Sequence, residues 1–322
     1  MKKAGKILYK EKEYNNKKQG ATKLIFNIKS DDINEAFINC LRRSVSEVPI
    51  YNFNIFNFET NTSVFHNSYM QLRLKNMPVW GIDNNIILMK ASENDNNQEQ
   101  SDEETELNFD TDKNIDTSTL NQLTMYINYK NNSNNIVTVS TDHAQFYFAQ
   151  EKIKNPYYMH IPIIKLQPYQ EISFSTITNI NIEKNDPLYS SCSVCFFKQN
   201  SENDYDFIIE SRGQITEKRI LYVAIQIIIK NMNNILKELE KYTYENEGTI
   251  IINNENHTMG NLITRGLQQH SNVEFAGYNM PHPLSNIINI HYKINKINII
   301  KAIENVVDYY TNLFNQCALF FK

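Results

Sequence analysis

The chain has 322 residues, enough for about two domains, and 41% of them are hydrophobic, which allows sizeable cores. Its 32 basic and 36 acidic residues give a formal net charge of −4, which argues against nonspecific phosphate binding as the main role. The four cysteines are too few for a secreted disulfide scaffold, and the sequence has no apolar run typical of a signal peptide or a membrane span. We therefore expect a reduced, intracellular globular protein.

The N-terminal part of the chain begins with a lysine-rich segment, and residues 1–20 predict a flexible basic tail. The alternation of apolar and polar residues in Lys23–Lys29 predicts a short strand. A helix should follow, capped by Asp31 or Asp32 and ending near Glu47, because its apolar residues recur on one helical face.

The next segments predict a strand at Tyr51–Glu59 and a short helix at Ser68–Asn76. Residues 91–118 are then rich in Asp and Glu and poor in apolar residues, so they cannot bury enough surface to fold alone. We interpret them as an acidic loop, with cation binding as the alternative. From Leu123 to Phe197 short alternating segments and Asn-rich turns predict an inserted β-rich subdomain, which we assign to residues 83–203.

After this insertion the sequence returns to longer elements, and Gly248 separates two groups of them. The last predicted helix has apolar residues in a near-heptad seam, which needs a partner helix, and the helix before Gly248 can supply it. The predicted strands are Phe207–Glu210, Thr249–Asn253, Val273–Gly277 and Ile287–Tyr292, and the predicted helices are Thr216–Tyr242, Met259–Gln269 and Ile299–Phe320.

Both groups share one plan, in which a strand and a short helix precede further strands and a long helix. This predicts an α+β fold with two related units that pair within the chain as a pseudo-dimer. Residues 21–82 and 204–245 should form the first unit, and residues 246–322 the second, smaller one.

Three side chains suggest chemistry at first sight. Cys192 and Cys195 have a metal-like spacing, but a structural zinc ion needs four ligands, and residues three apart on a strand point to opposite faces. We interpret them as buried thiols and expect no metal and no cofactor in this chain. His257 precedes a helix, where Asn256, His257 or Thr258 can satisfy free N–H groups. The sequence has no nucleophile elbow, phosphate loop or HExxH motif, although a hydrolase that uses His257 with a distant carboxylate remains an alternative.

Residues 39–50, Asn-Cys-Leu-Arg-Arg-Ser-Val-Ser-Glu-Val-Pro-Ile, resemble the first helix of the alpha-like subunits of multisubunit RNA polymerases. Residues 252–263 and 273–284, with their His-Thr-Met-Gly-Asn and Gly-Tyr-x-x-Pro-His-Pro motifs, are similar to the signature of the smaller partner subunit. Weaker resemblances follow in the family's order at residues 61–64, 69–78, 163–172 and 206–213. One departure is Tyr169, which stands where the family has a turn glycine.

The resemblance implies a fusion of the two assembly subunits, as in large cytoplasmic DNA viruses. It implies a non-catalytic scaffold of a DNA-directed RNA polymerase that docks two large catalytic subunits and small polymerase subunits. It further implies nucleic-acid contact only through the complex, no membrane, no homodimer, and a location in the viral factory of the host cytoplasm and in the virion. The alternative is a stand-alone nucleic-acid-binding module that uses the basic tail.

Arg42 and Arg43 are the main candidates for docking. From the residues alone they could be solvated cations beside an apolar stripe. The resemblance implies that their helix docks on the catalytic subunits, and that one face around Arg42, Arg43 and the 61–76 segment binds a large catalytic subunit. The helix Met259–Gln269 and the loop at residues 277–283 should form the corresponding or inter-unit contact. The predicted interface residues are Arg42, Arg43, Glu47, Asn61, Thr62, Arg73, His257, Thr258, Asn261, Tyr278 and His282.

Overall fold

A computed structural model describes residues 5–15, 22–80, 122–239, 245–282, 285–295 and 297–322. The strands are β1 (Leu8–Asn15), β2 (Lys23–Lys29), β3 (Ile50–Asn61), β4 (Leu123–Lys130), β5 (Val137–Ser140), β6 (Ala144–Phe148), β7 (Glu151–Ile153), β8 (Pro162–Leu166), β9 (Glu171–Asn181), β10 (Cys192–Ser201), β11 (Asp204–Ser211), β12 (Glu247–Asn253), β13 (Val273–Asn279) and β14 (Ile287–Ile294). The helices are α1 (Glu35–Ser44), α2 (Asn67–Lys75), α3 (Glu217–Leu239), α4 (His257–Gln268) and α5 (Ile299–Ala318). In these ranges, no helix has the length and apolar character needed to cross a membrane.

The first sheet is antiparallel, with the strand order β1-β2-β11-β10. Its inner face carries the alternate apolar residues of β2 and β11, such as Phe26 and Phe207, which are fully buried and stack on each other. Charged residues pair on the outer face, where Lys12 Nζ lies 2.6 Å from Asp206 Oδ2. Apolar and polar residues therefore alternate along these strands because one face of the sheet is buried and the other faces solvent.

The predicted flexible tail is wrong for part of its length, because Leu8–Asn15 form β1. This strand pairs with β2, and the ring of Tyr9 stacks on Phe320 with 4.7 Å between the ring centroids. The side chain of Gln316 also accepts a hydrogen bond from the backbone of Ile7 at 3.2 Å. Contacts with the C-terminal helix thus order a strand that is too polar to be predicted from its own sequence.

Helix α1 begins later than predicted and ends earlier. Asn34 is its N-cap and accepts a hydrogen bond from the backbone N–H of Phe37 at 3.0 Å, so the predicted caps Asp31 and Asp32 are wrong. Asp32 instead accepts a hydrogen bond from the backbone N–H of Gly5. The helix ends at Ser44, and one 3-10 turn continues the chain to residue 47.

A second sheet of five strands has the order β3-β9-β4-β6-β7, with the separate pair β5-β8 beside it. Strand β3, which the sequence assigned to the first unit, pairs with β9 in the second sheet, whereas β10, which it assigned to the predicted insertion, joins the first sheet. Tyr169 precedes β9 with a φ of 63°, which is the left-handed backbone that a turn glycine would adopt. The acidic segment 91–118 lies outside the described residues.

The third sheet has the order β12-β14-β13, and helices α4 and α5 complete this C-terminal part. Strand β13 extends to Asn279, so Tyr278 lies on a strand rather than in the predicted loop. Helix α5 packs on α3, as its seam predicted, and α1 packs on α4. Phe37 of α1 stacks on Phe314 of α5 with ring centroids 4.2 Å apart, and both rings are fully buried. One continuous core therefore joins the helices of both halves.

Candidate docking surface

Arg42 and Arg43 lie in the last turn of α1, where positive charge suits the negative end of the helix dipole. Arg42 is half-buried, and its Nε and Nη2 donate to Asn39 Oδ1 at 3.1 and 2.9 Å. Arg43 is exposed. Asn39 therefore fixes the orientation of one guanidinium group, and the neighbouring one faces solvent.

Glu47 lies in the 3-10 turn after α1 and is tied to the long helix α3. Its Oε2 accepts a hydrogen bond from Asn231 Nδ2 at 3.4 Å. Burial raises the pKa of Glu47, while Lys184, the hydrogen bond from Asn231 and the charge of Arg43 act in the opposite direction. This carboxylate thus connects the turn after α1 to α3.

Asn61 and Thr62 shape the loop between β3 and α2. Asn61 Oδ1 accepts hydrogen bonds from Ser63 N at 3.1 Å and from Ser63 Oγ at 2.6 Å. Asn61 Nδ2 donates to the carbonyl oxygen of Phe65 at 2.9 Å. Thr62 binds Glu171 through its backbone N–H at 3.0 Å and its Oγ1 at 2.8 Å. These two residues stabilise the loop through hydrogen bonds within the chain. Their predicted contribution to an interface would therefore be to hold the loop in position.

The same loop and helix expose an apolar patch, formed by Val64, Phe65, Tyr69 and Leu72. Val64 is 71% exposed and Leu72 is 56% exposed, and the rings of Phe65 and Tyr69 stack at 4.6 Å. Adjacent exposed apolar side chains are typical of protein interaction sites. Arg73 borders the patch and donates from Nη2 to the carbonyl oxygen of Pro162 at 3.2 Å.

Sequence reasoning missed this patch, although α2 carries a signal for it. Met70 and Leu74 have helical spacing and are buried against the sheet, whereas Tyr69 and Leu72 are apolar on the opposite side. A helix of an ordinary soluble surface has polar residues there. One of the two apolar faces of this short helix is therefore exposed.

His257 and Thr258 are the first residues of helix α4. The sequence offered Asn256, His257 and Thr258 as candidate caps, and the structure shows that Asn256 is the N-cap. Asn256 Oδ1 accepts a hydrogen bond from the backbone N–H of Thr258 at 2.8 Å. The exposed ring of His257 packs edge-on against Tyr278 with 5.8 Å between centroids. Packing therefore explains His257, and Thr258 is buried under the helix start.

Gly260 explains why the two C-terminal motifs occur together. A Cβ atom at Gly260 would lie 2.8 Å from Cδ2 of Tyr278 and 3.0 Å from Cγ2 of Ile288, so a larger residue would push the helix off the sheet.

Asn261, the next residue of α4, is half-buried. His282 is exposed, and its carbonyl oxygen accepts hydrogen bonds from the backbone N–H and Oγ of Ser285 at 3.0 and 2.8 Å.

The predicted interface residues form two regions. Because α1 packs on α4, Arg42 and Arg43 belong to the same helical pair as His257. Asn61 and Arg73 lie at the other end of β3, a strand of 12 residues. At ~3.3 Å per residue this strand spans about 35 Å, so the two regions lie apart rather than on the single face that was predicted.

The prediction that Cys192 and Cys195 point to opposite faces is wrong. A β-bulge between Cys192 and Val194 shifts the register, so Cys192 pairs with Ser211 and Cys195 with Ile209. Both partners face the core, and both cysteines pack against it while remaining partly exposed. Among the described residues, no group of three or more His, Cys, Asp or Glu side chains is placed to hold a metal ion.

Comparison with known proteins relates both halves of the chain to one class. Residues 247–318 match the family model described as the RNA polymerase Rpb3/Rpb11 dimerisation domain. A putative DNA-directed RNA polymerase subunit of Acanthamoeba polyphaga mimivirus is 30% identical, over 89% of this chain and 87% of that protein. Subunit Rpo11 of Saccharolobus solfataricus is 43% identical over 17% of this chain and 65% of its own length. The DNA-directed RNA polymerase II subunit rpb11 of Dictyostelium discoideum is 44% identical over 16% of this chain and 42% of its own length. The chain therefore belongs to the alpha-like assembly subunits of multisubunit DNA-directed RNA polymerases.

Proposed function

We propose that this assembly subunit combines the alpha-like subunit and its smaller partner in one polypeptide, paired as an internal pseudo-dimer. The first unit would contain the sheet β1-β2-β11-β10 with α1 and α3, and the second would begin near residue 246. The β-rich insertion would lie between α1 and β10 and include β3. The contacts of α1 with α4 and of α3 with α5 support this arrangement, because equivalent helices of the two units meet. Fusion replaces a bimolecular step by an effective concentration of about millimolar order.

The end of α1 then provides the main contact with a large catalytic subunit. Arg43 is exposed, and Arg42 has a guanidinium oriented by Asn39, so both can pair with carboxylates or donate to backbone carbonyls. The apolar patch at Val64, Phe65, Tyr69 and Leu72 offers a second contact about 35 Å away along β3. Two separate contacts suit a scaffold that brings two large catalytic subunits and small polymerase subunits together.

In this proposal the catalytic metal and the nucleic acid are held by the partners, and this chain itself has no catalytic site and no cofactor. A viral polymerase, acting in the host cytoplasm and packaged in the virion, is supported by the mimivirus relative. A stand-alone nucleic-acid-binding module is not favoured, since the similar proteins are polymerase subunits and Lys12 of the basic segment is paired with Asp206.

The docking claim is tested by co-purification of the tagged Arg42→Glu/Arg43→Glu variant with the large subunits. We expect the large subunits to be lost, because the reversed charges would repel the carboxylates or carbonyls that the arginines contact. Lys152→Glu/Lys154→Glu is the matched control, since both lysines are exposed at the far edge of the second sheet. Unimpaired assembly of the arginine variant would refute the docking role of α1.

The pseudo-dimer claim is tested by light scattering of the isolated chain. The internal pairing already buries the helical surface that two separate subunits would use, so we expect a monomer. A stable homodimer would contradict the proposal.

A further inference from the structure

Cys192 and Cys195 form a thiol pair that the assembly role does not use. The β-bulge in β10 turns both side chains toward the core, where their thiols interact with each other. Both remain partly exposed, whereas Cys40 and Cys317 are fully buried. The chain therefore contains two accessible neighbouring thiols and two inaccessible ones.

The surroundings also separate the four thiols by reactivity. The neighbouring thiol of Cys195 lowers the pKa of Cys192 despite partial burial, and the charge of Arg212 acts in the same direction. The same interaction and partial burial raise the pKa of Cys195. Burial raises the pKa of Cys317 to about 12 and also raises that of Cys40. Since the thiolate is the nucleophile, Cys192 is the thiol prepared to react.

The pair is also connected to the end of α1. Cys195 Sγ donates a hydrogen bond to the carbonyl oxygen of Arg42 at 3.8 Å. Ser191 Oγ donates to the carbonyl oxygen of Val45 at 3.2 Å. Ser191 and the first part of β10 thus bind the carbonyl end of α1 and the 3-10 turn that follows it.

We propose that Cys192 and Cys195 form a reversible dithiol–disulfide site that exchanges with small-molecule disulfides. The Cys192 thiolate attacks one sulfur atom of the reagent, whose S–S bond breaks and releases one thiol. Cys195 then attacks the sulfur atom of Cys192 and gives its proton to the departing thiolate, which leaves as the second thiol. Two protein thiols are oxidised and one disulfide is reduced to two thiols, so the exchange balances without another electron acceptor.

Oxidation would act on the end of α1 in two ways. It removes the S–H group that Cys195 donates to the carbonyl oxygen of Arg42, and it draws the two sulfur atoms together into a bond of about 2.05 Å. The bulged strand must tighten beneath α1. This consequence rests on the proposed docking role of α1, and we expect oxidation to weaken that docking.

The site is tested on the full chain with oxidised glutathione, followed by alkylation and mass spectrometry. We expect the wild type to lose two hydrogen atoms, to form a Cys192–Cys195 disulfide with Cys40 and Cys317 still as thiols, and to return to the start with dithiothreitol. Cys195→Ser should instead keep glutathione as a stable mixed disulfide on Cys192. A wild type that carries glutathione on both cysteines, or that leaves both unmodified, would overturn the site.

The coupling is tested by co-purification of the reduced and oxidised chains with the large subunits. We expect a roughly twofold to tenfold loss on oxidation, the scale of one lost hydrogen bond, and none for Cys192→Ser/Cys195→Ser. Equal recovery of both forms would overturn the coupling and leave the disulfide site in place. Failure of the reduced chain to recover the large subunits would refute the docking role itself.

Discussion

Phe37→Ala would remove an aromatic ring that joins the two halves of the chain. Phe37 lies on α1, is fully buried and stacks on Phe314 of α5 at 4.2 Å, with the ring of Tyr310 at 6.4 Å. Truncation of a buried phenylalanine to alanine costs about 3–5 kcal/mol, through lost apolar burial and the cavity left behind. A typical domain has only about 5–15 kcal/mol of unfolding free energy, so this variant should lose a large part of it.

The assay is urea unfolding followed by far-UV circular dichroism and by the fluorescence of Trp80, the single tryptophan of the chain. Phe196→Ala is the matched control, because Phe196 is 48% exposed and its loss should change the free energy by less than about 0.5 kcal/mol. In a double-mutant cycle, Phe37→Ala and Phe314→Ala should show a coupling of about 0.5–1.5 kcal/mol. A cost below about 1 kcal/mol for Phe37→Ala, or strictly additive single variants, would refute the packing between the halves.

Three further substitutions test local features by thermal unfolding. Gly266→Val should destabilise by at least about 1–3 kcal/mol, because a Cβ atom there would lie 2.3 Å from Cγ1 of Val306, and Val306→Ala should restore part of the loss. A tolerated Gly266→Val would contradict the close contact of α4 with α5. Ala149→Asn/Gln150→Gly should stabilise by about 1 kcal/mol, because these residues have φ of 49° and 67° in a two-residue turn that favours Asn-Gly; a lower midpoint would argue against the left-handed turn. Asn256→Ala should cost about 1 kcal/mol through the lost helix cap, whereas Asn256→Asp should keep it, and equal effects of both would refute the capping role.

The strong periodic patterns predicted the elements well. Strand β2 has the predicted bounds Lys23–Lys29, because its alternation comes from one buried face. The near-heptad seam of α5 correctly predicted its contact with α3, since eleven of its residues are buried, among them Ile303 and Val307. Where burial on one face decides the structure, the sequence alone carries the information.

The errors arose where distant contacts decide the local structure. Strand β1 has a charged sequence, and its pairing with β2 and the stack of Tyr9 on Phe320 order it. The N-cap of α1 is Asn34, and the carboxylate of the predicted cap Asp32 binds the distant backbone of Gly5 instead. The bulge in β10 reverses the side chain of Cys192, and a one-residue shift of this kind leaves no periodic signal.

The candidate surface was predictable only in part. The motif around Arg42 and Arg43 located the end of α1, and the geometry separates the oriented from the exposed arginine. The apolar patch that includes Leu72 was missed, because only the packing of α2 shows which of its two apolar faces is buried. The role of Gly260 also needed the structure, since its contact is the ring of Tyr278 on a distant strand.

The central claim is that this chain assembles the large subunits of an RNA polymerase. Its most direct test is purification of the tagged full chain from its native setting, with mass spectrometry of the companions and their stoichiometry. We expect both large catalytic subunits of a DNA-directed RNA polymerase, each in equal amount with this chain. A chain that is recovered alone, or only with a second copy of itself, would contradict the account.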